Sequence, residues 1–288
     1  MSTMSRAVDE IAAQGGQKID GPRAFTGDLR RAANLTWTLA YLEFRLRFFG
    51  SVLGYVWQLG RPLMMFGVLY VVFVPILHQG DGVPYYAAAL LTGIMLYQFF
   101  GDCTGGSVGA VLGRENLVRK IHFPRIVIPM AVVVQSALTL AVNCIAIAIF
   151  IALQGVPIRV NWLVALPAIG LLFVYVTGLS MLLSSLYVRY RDVAPIWDVI
   201  LQASFYATPI LYSIDQLPKT ARPFMMASPL ATAIQQVRHS MFDPSAPSAI
   251  DGLGGPVFLL IPIAVAVGVF ALGLFVFNRT APAVAEEL

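Results

Sequence analysis

Charged residues are scarce in this sequence. Asp, Glu, Lys and Arg make up 12% of its 288 residues, whereas about 25% is typical of soluble domains. Apolar residues make up 58%, and the mean hydropathy is +0.76. This composition excludes a soluble globular protein and predicts that a lipid bilayer surrounds most of the chain. The net charge of +4 comes from cations near the ends of apolar segments, so we expect no nucleic acid partner.

Three long apolar segments, residues 126–153, 162–188 and 256–277, contain no Asp, Glu, Lys, Arg or His. Ion-coupled transporters and proton relays keep such side chains within the membrane. Acidic residues interrupt only two other apolar segments, at Asp102 and Asp198, and we expect a structural role for both. The sequence therefore argues against an ion-driven transporter.

Cysteine, histidine and lysine are also scarce. Cys103 and Cys144 both lie in apolar segments, so a disulfide framework is not expected. Of three lysines only Lys219 precedes a Thr, and it follows Pro rather than Gly, so the chain has no P-loop for ATP. The three histidines are too far apart in sequence to suggest a metal site: His78, His122 and His239.

Six segments contain the roughly 20 mainly apolar residues that a membrane-spanning helix needs. They are residues 53–77, 85–105, 126–153, 162–188, 194–212 and 256–277. Gln58, Arg61 and Pro62 interrupt the first, and the fifth contains Asp198 and Gln202. We predict an all-α multi-pass membrane protein with six transmembrane helices.

The Lys and Arg residues set the predicted orientation. In the six-span arrangement, 15 of the 19 fall on one side. Cytosolic loops accumulate Lys and Arg, so both termini and the loop between the second and third spans are predicted to be cytosolic. We expect a disordered cytosolic tail at 1–27, a transmembrane domain at 28–279 and a short cytosolic tail at 280–288, in the plasma membrane.

A helix is predicted over Leu29–Phe48, which contains no Pro or Gly. Four aromatic residues recur at helical spacing on one face: Trp37, Tyr41, Phe44 and Phe48. A narrower polar arc contains Arg31, Asn34, Thr38 and Arg45. A helix in the cytosolic membrane interface would use both faces. The alternative is a cytosolic helix that packs on a partner through its aromatic face.

A further helix is predicted after the fifth span. Ser228 is a suitable N-cap and Pro229 a suitable first residue. An apolar stripe follows, formed by Leu230, Ile234, Val237 and Met241. We expect this helix to lie on the outer leaflet or to dip into it.

The predicted cytosolic loop between the second and third spans, here called the central loop, is short and basic. Asn116 can cap a short helix over residues 117–120, and Pro124 forces Phe123 to be extended. Such a helix could dock in a groove of another protein. The alternative is an ordinary positively charged cytosolic loop.

Four stretches occur in an order typical of one family. They are SVLGYVW at 51–57 with Arg61-Pro62, ENLVRKIHFPRIVIP at 115–129, VRYRDV at 188–193 and TPILY at 208–212. They resemble the permease subunits of type-2 ABC exporters, in the branch that moves polysaccharides such as O-antigen, capsule and teichoic acid. The family commonly has Asn-Pro-Leu where this chain has Ser228-Pro229-Leu230, which preserves an N-cap residue.

The resemblance implies a homodimer that works with two copies of a separate ATPase subunit. ATP and Mg²⁺ would bind to that partner, and no cofactor is expected in this chain. The central loop would be the coupling helix, with Asn116, Leu117, Val118, Arg119, Lys120, His122, Phe123, Pro124 and Arg125. A second contact would be formed by Arg189, Arg191 and Asp192. The first helix would be an interface helix, with Arg31, Trp37, Tyr41, Phe44, Arg45 and Phe48.

The implied substrate is a polyprenyl-diphosphate-linked polysaccharide of the O-antigen, galactan or teichoic acid class. It would pass along the dimer axis, its diphosphate meeting cytosolic cations. Because sugars pack their C–H faces on aromatic rings, the candidate channel-lining residues are Tyr70, Phe73, Tyr97, Phe99, Phe100, Phe205 and Tyr206. The alternative is that these rings face lipid or the membrane interface.

Two other functions are compatible with the sequence. One is a type-2 permease for a drug or a simple lipid, which would share the fold but have a smooth aliphatic cleft. The other is a membrane enzyme of glycan assembly, which would need clustered acidic residues or a metal site. Asp102, Asp192 and Asp198 form no obvious cluster, so we expect a transporter subunit and not an enzyme.

Overall fold

The computed structural model describes residues 29–48, 52–78, 83–114 and 124–280. Within these ranges the chain is helical, as predicted. Its α-helices are α1 (Leu29–Phe48), α2 (Val52–Val71), α3 (Tyr86–Val108), α4 (Val127–Gln154), α5 (Ala165–Arg189), α6 (Val193–Ala207), α7 (Arg222–Met226), α8 (Pro229–Val237), α9 (Ala249–Leu253) and α10 (Leu260–Thr280). The predicted N-terminal tail and the central-loop residues from Asn116 to Phe123 lie outside the described residues.

Four stretches are long and apolar enough to cross a membrane: Trp57–Ile76, Val127–Gln154, Val160–Arg189 and Pro256–Thr280. They correspond to the first, third, fourth and sixth predicted spans. The second predicted span is α3, which has 23 residues but is less apolar. The fifth is α6, whose 15 residues extend only about 22 Å, less than the roughly 30 Å of a bilayer core. The chain is an integral membrane protein, and the count of six spans stays a prediction.

The third α-helix, α3, lies in the centre of the bundle. It packs against α2, α4, α5 and α6, and most of its side chains are buried. Leu90, Leu91 and Met95 are among the most buried residues in the chain. A helix surrounded by protein needs no apolar surface towards lipid, which explains why α3 tolerates polar residues within a membrane bundle.

The tightest contact in the bundle joins α5 to α10. A Cβ atom at Gly178 would overlap the backbone of Phe270, and one at Gly273 would overlap the carbonyl group of Gly178. Small residues allow the backbones of membrane helices to approach closely, so both positions require glycine. These two glycines position α10 against α5.

The sixth α-helix, α6, is short and mostly exposed. Phe205 is its only buried residue. Nε1 of Trp197 donates a hydrogen bond to Oγ1 of Thr104 at 3.1 Å, which ties α6 to α3. The predicted span continued to residue 212, but the helix ends at Ala207 because Thr208, which precedes Pro209, adopts an extended conformation.

The helices between α6 and α10 are inserted into the bundle. The predicted start at Ser228 and Pro229 is correct, although the Ser228 side chain makes no capping hydrogen bond. Two polar side chains of α8, those of Thr232 and Gln235, are buried together with its apolar stripe residues Leu230, Ile234 and Val237. Oγ1 of Thr232 donates to the Met226 carbonyl at 2.6 Å, and Nε2 of Gln235 donates to the Pro247 carbonyl at 2.7 Å. These internal partners allow α8 to pack against α5 and α10.

Candidate functional site

A cavity of about 470 Å³ lies where α2, α3 and α6 meet. We call it the polar cavity because four lining residues have charged or amide side chains: Arg61, Gln98, Asp102 and Gln202. The remaining wall is mainly apolar and aromatic, and consists of Pro62, Met65, Ile94, Tyr97, Gly101, Leu201, Phe205 and Tyr206. Gln98 and Asp102 are four residues apart, which places them on the same face of α3.

The polar groups lie at similar depths from the end of the bundle that carries the central loop. Arg61 and Gln202 are each nine residues from the first residue of their helices, and Asp102 is six residues from the last residue of α3. At 1.5 Å per residue these separations are about 13, 13 and 9 Å. Phe205 and Tyr206 lie farther from that end. The cavity is therefore polar towards the central loop and aromatic beyond it.

The four polar side chains have unused hydrogen-bonding capacity. Within the described part of the chain, no protein group forms a hydrogen bond with the side chains of Arg61, Gln98, Asp102 or Gln202. The positive charges of Arg47 and Arg61 act on the Asp102 carboxylate through space. Placing polar groups at this depth in a membrane bundle costs free energy unless they form hydrogen bonds, so the cavity is suited to a polar occupant.

Aromatic side chains form the rest of the cavity wall and hold α6 in place. The Tyr97 hydroxyl lies 2.7 Å from Oγ of Ser204. The Tyr97 and Phe205 rings meet edge to face with their centroids 5.0 Å apart, and Phe205 meets Tyr206 in the same way at 5.3 Å. Tyr206 is 68% exposed, so one ring in the wall is available to an occupant.

The seven aromatic residues predicted to line a channel do not all lie together. Tyr97, Phe205 and Tyr206 line the polar cavity. Phe100 lines a second cavity of about 570 Å³ between α5, α6 and the inserted helices. Phe99 is buried and packs on the Phe173 ring, with 4.7 Å between the centroids.

The other two predicted channel-lining residues lie on the α2 helix and its π-helical extension. The Tyr70 ring packs near the Phe66 ring at 5.5 Å, and Phe73 is half-buried. Neither lines the polar cavity. A role in substrate passage stays a prediction for all seven residues.

The interface helix prediction falls on α1, which has the predicted bounds. α1 packs along α4 with Ala40 fully buried in the contact side of the helix. Trp37 and Tyr41 are stacked with their centroids 6.5 Å apart, and both remain about half exposed. The Arg45 guanidinium lies over the Tyr41 ring. Arg31 is exposed, Phe44 is half-buried and Phe48 ends the helix, and the role of α1 at a membrane interface stays a prediction.

Both flanks of the central loop are described, although its middle is not. Before the loop, Nε of Arg114 donates to the Glu43 carboxylate of α1 at 2.9 Å, and a second nitrogen of Arg114 contacts the same oxygen. After the loop, Pro124 is followed by Arg125, which is 4% exposed with one guanidinium nitrogen lacking a partner in the described residues. Burial lowers the pKa of Arg125. The helix α1 therefore contacts both sides of the loop directly: its start through Glu43 and Arg114, and α4, the helix that follows the loop, by packing along it.

The second predicted contact lies at the same end, between α5 and α6. Arg189, Arg191 and Asp192 are all exposed. The Arg189 guanidinium lies over the Tyr190 ring at 5.6 Å, and that of Arg191 lies over the Tyr187 ring at 5.2 Å. Cation–π contacts of this kind orient the two arginines while leaving their charges accessible.

Sequence reasoning missed most of the polar cavity. From sequence, Arg61 is noted as an interruption of an apolar segment and as part of a stretch typical of the family, and Gln202 only as an interruption. Asp102 is given a structural role, and Gln98 is not singled out. Two sequence features could have indicated the cavity. Polar residues occur in otherwise apolar membrane segments, and Gln98 and Asp102 are four residues apart, on one face of a helix.

Comparison with known proteins gives consistent matches. The O-antigen export system permease protein RfbA of Klebsiella pneumoniae is 27% identical over 193 residues, which cover 67% of this chain and 74% of that protein. A protein of the same name from Myxococcus xanthus is 25% identical over 227 residues, covering 77% and 85%. The polysialic acid transport protein KpsM of Escherichia coli is 21% identical over 204 residues, covering 69% and 78%.

A family profile gives the clearest assignment. The profile described as ABC-2 type transporter matches residues 34–242, well over half of the sequence. The four stretches noted above all lie within that range. This chain belongs to the ABC-2 type transporter family.

Proposed function

We propose that this chain is the transmembrane subunit of an ATP-driven exporter. It moves a polyprenyl-diphosphate-linked polysaccharide of the O-antigen, galactan or teichoic acid class from the cytosol across the plasma membrane. The observation that carries the proposal is that relatives covering two thirds or more of the chain are named for the export of O-antigen or the transport of polysialic acid. Both termini are cytosolic in this arrangement.

A separate ATPase supplies the energy. The sequence contains no P-loop, so ATP and Mg²⁺ bind to a partner subunit, of which two copies accompany a homodimer of this chain. The exposure of α6, on which only Phe205 is buried, supports a dimer, because the helix offers an uncovered face beside the polar cavity.

The ATPase acts on the central loop and on the α5–α6 turn. Supporting this assignment, Arg189 and Arg191 are exposed and oriented by tyrosine rings at the same end of the bundle as the loop. Arg119 and Lys120 provide cations in the loop itself. Such cations suit an acidic docking groove on a partner.

A glycan suits the cavity better than a drug or a simple lipid. A permease for apolar molecules would need a smooth aliphatic cleft. The polar cavity instead combines amide and charged groups with the rings of Tyr97, Phe205 and Tyr206. Pockets that combine hydrogen-bonding groups with aromatic faces are suited to sugars.

The double variant Arg119→Glu with Lys120→Glu tests the proposal. We expect loss of surface glycan and loss of the co-purified ATPase, because two attractive charges become repulsive. The measurements are detergent pull-down of the tagged chain, ATPase activity of the eluate and surface glycan on intact cells. The matched control is Arg159→Glu with Lys219→Glu, two exposed cations at the opposite end, which should leave all three readouts unchanged.

Normal export by the loop variant would remove the coupling role of the central loop. Absence of any ATPase partner, together with undiminished surface glycan after deletion of the chain, would refute the proposed function itself.

A further inference from the structure

Arg125, the last residue of the central loop, has its side chain inside the protein. It is 4% exposed, and its Nη1 atom is buried without a hydrogen-bond partner in the described part of the chain. A buried charge costs free energy unless an acceptor or an opposite charge compensates it. Arginine stays protonated in proteins, so it cannot avoid this cost by losing its charge. Arg125 therefore needs an acceptor that the described residues do not provide for Nη1.

Arg125 lies in the wall of a small cavity, where the ends of α5 and α10 meet the flanks of the central loop. The wall consists of Val111, Arg125, Ser184, Ser185, Val188, Phe277 and Thr280. The three hydroxyl groups already donate hydrogen bonds to carbonyls of their own helices. Among these seven side chains, the uncommitted donor is therefore the guanidinium of Arg125, which is positively charged. The cavity favours an anionic occupant over a neutral one.

The volume of this cavity limits what can enter it. It is about 10 Å³, close to the roughly 10–15 Å³ that one water-sized group requires. One oxygen of a flat carboxylate is such a group, and the second oxygen can remain at the rim. A phosphodiester group, with its oxygens arranged around a phosphorus atom, is too large. The cavity is therefore suited to a carboxylate and not to the phosphate of a lipid headgroup.

The described carboxylates towards this end of the bundle do not occupy the cavity. Asp102 lines the polar cavity, and Glu43 accepts a hydrogen bond from Arg114. Asp192 and Asp198 are exposed. None of these four acidic residues belongs to the wall around Arg125. The acceptor must therefore come from a part of the chain outside the described residues, or from another molecule.

The segment 281–288, with the sequence APAVAEEL, follows Thr280 directly and lies outside the described residues. Thr280 is itself part of the cavity wall. Glu286 and Glu287 follow within a few residues, and the intervening chain can extend about 20 Å. A short tether keeps an attached group at an effective concentration of about millimolar. Two carboxylates are therefore within easy reach of Arg125.

We propose that the 281–288 segment folds back on the bundle and places a carboxylate of Glu286 or Glu287 on Arg125. The carboxylate accepts a hydrogen bond from Nη1 and neutralises the buried charge. Through this contact, the segment after α10 holds the residue at which the central loop joins α4. The inference concerns a contact within this chain and goes beyond the proposed function, so either can fail without the other.

The test measures how accessible the 281–288 segment is, on the full chain in lipid-free detergent. A thiol reporter, Ala285→Cys, is placed beside Glu286 in a Cys144→Ala background, because Cys144 is exposed and Cys103 is buried. The measurement is the rate of labelling by a maleimide, divided by the rate for the same variant in denaturant. This division removes the effect of neighbouring charges on the reactivity of the thiol.

Replacing both carboxylates, with Glu286→Gln and Glu287→Gln, should raise the normalised labelling rate about tenfold, the equivalent of about 1.4 kcal/mol. Arg125→Met should have the same effect, and adding it to the Gln variant should bring no further increase. Glu286→Asp with Glu287→Asp keeps both charges and should keep most of the protection. Glu115→Gln, which removes a carboxylate from the central loop, is the matched control and should label at the rate of the reporter protein.

Labelling of the reporter protein at the rate of the denatured chain would overturn the proposal. An increase in Glu115→Gln with none in the Gln variant would also overturn it and leave a loop carboxylate as the partner of Arg125. No increase in either would leave water as that partner. If Arg125→Met fails to fold, the Gln and Asp variants still decide the outcome, because residues 286 and 287 follow the last described helix.

Discussion

Arg238 brings a positive charge into the interior of the protein, where it is 5% exposed. Its guanidinium donates to the carbonyls of Ile210 and Tyr212, each at 2.7 Å, and the Tyr86 hydroxyl donates to the carbonyl between them. Arg238→Met leaves two buried carbonyls without donors, at about 1–3 kcal/mol each. We expect the midpoint of thermal unfolding in detergent to fall by about 5 °C or more.

Arg222 is a matched control for Arg238. It also donates to two backbone carbonyls, those of Leu217 at 3.1 Å and Asp215 at 2.8 Å, but it is only half-buried. Water can replace the guanidinium there, so Arg222→Met should change the midpoint by no more than about 2 °C. An equal decrease of the unfolding midpoint in the two variants would show that the burial of Arg238 does not increase its contribution to stability.

At the scale of elements, the contact between α5 and α10 depends on two glycines. Gly178→Ala or Gly273→Ala places a methyl group in occupied space, so the helices must separate, at about 1–3 kcal/mol or more. Gly170 on α5 and Gly268 on α10 have open space around their Cβ positions. Alanine there should be neutral or slightly stabilising because it favours helix.

Size-exclusion profiles and thermal unfolding in detergent would check this prediction for all four alanine variants. A Gly178→Ala protein as stable as Gly170→Ala would mean that the two helices are not in backbone contact.

The helices themselves were largely predictable, but the arrangement of the polar cavity was not. The run without Pro or Gly gave correct bounds for α1, and apolar length located the long spans. Pro209 was available as a stop signal for α6, yet the apolar residues after it led to an overlong prediction. Spacing shows which residues share a face of one helix. It does not show which helices are neighbours, so Arg61, Asp102 and Gln202 could not be brought together from sequence.

At the scale of the whole molecule, the Glu43–Arg114 ion pair joins α1 to the start of the central loop. Both side chains are only about one-fifth exposed, so the pair is largely shielded from water, and changing one partner alone costs more than breaking a surface ion pair. Glu43→Arg and Arg114→Glu each place two like charges together, so the folded fraction of each variant is measured by size exclusion and export is compared per folded protein. We expect each to lower export about fivefold or more while ATP hydrolysis continues, because movement of the loop no longer reaches α1.

The charge-swapped double variant, Glu43→Arg with Arg114→Glu, should recover a substantial part of export. The ratio of glycan exported to ATP hydrolysed is the measurement. An unchanged ratio in the single variants would contradict a link between α1 and the central loop through this pair. So would a double variant whose ratio is lower than that of either single variant.

The insertion of α8 between helices also constrains the order in which the protein is made. Its partner α5 is synthesised before it, but its other partner, α10, follows about 20 residues later in the chain. Until α10 enters the membrane, one side of α8 has no neighbour, and Gly178 of α5 has no helix backbone packed against it. The partners of Thr232 and Gln235 on α8, the carbonyls of Met226 and Pro247, are already synthesised by then, so it is the packing of α8 and α5 against α10 that forms last.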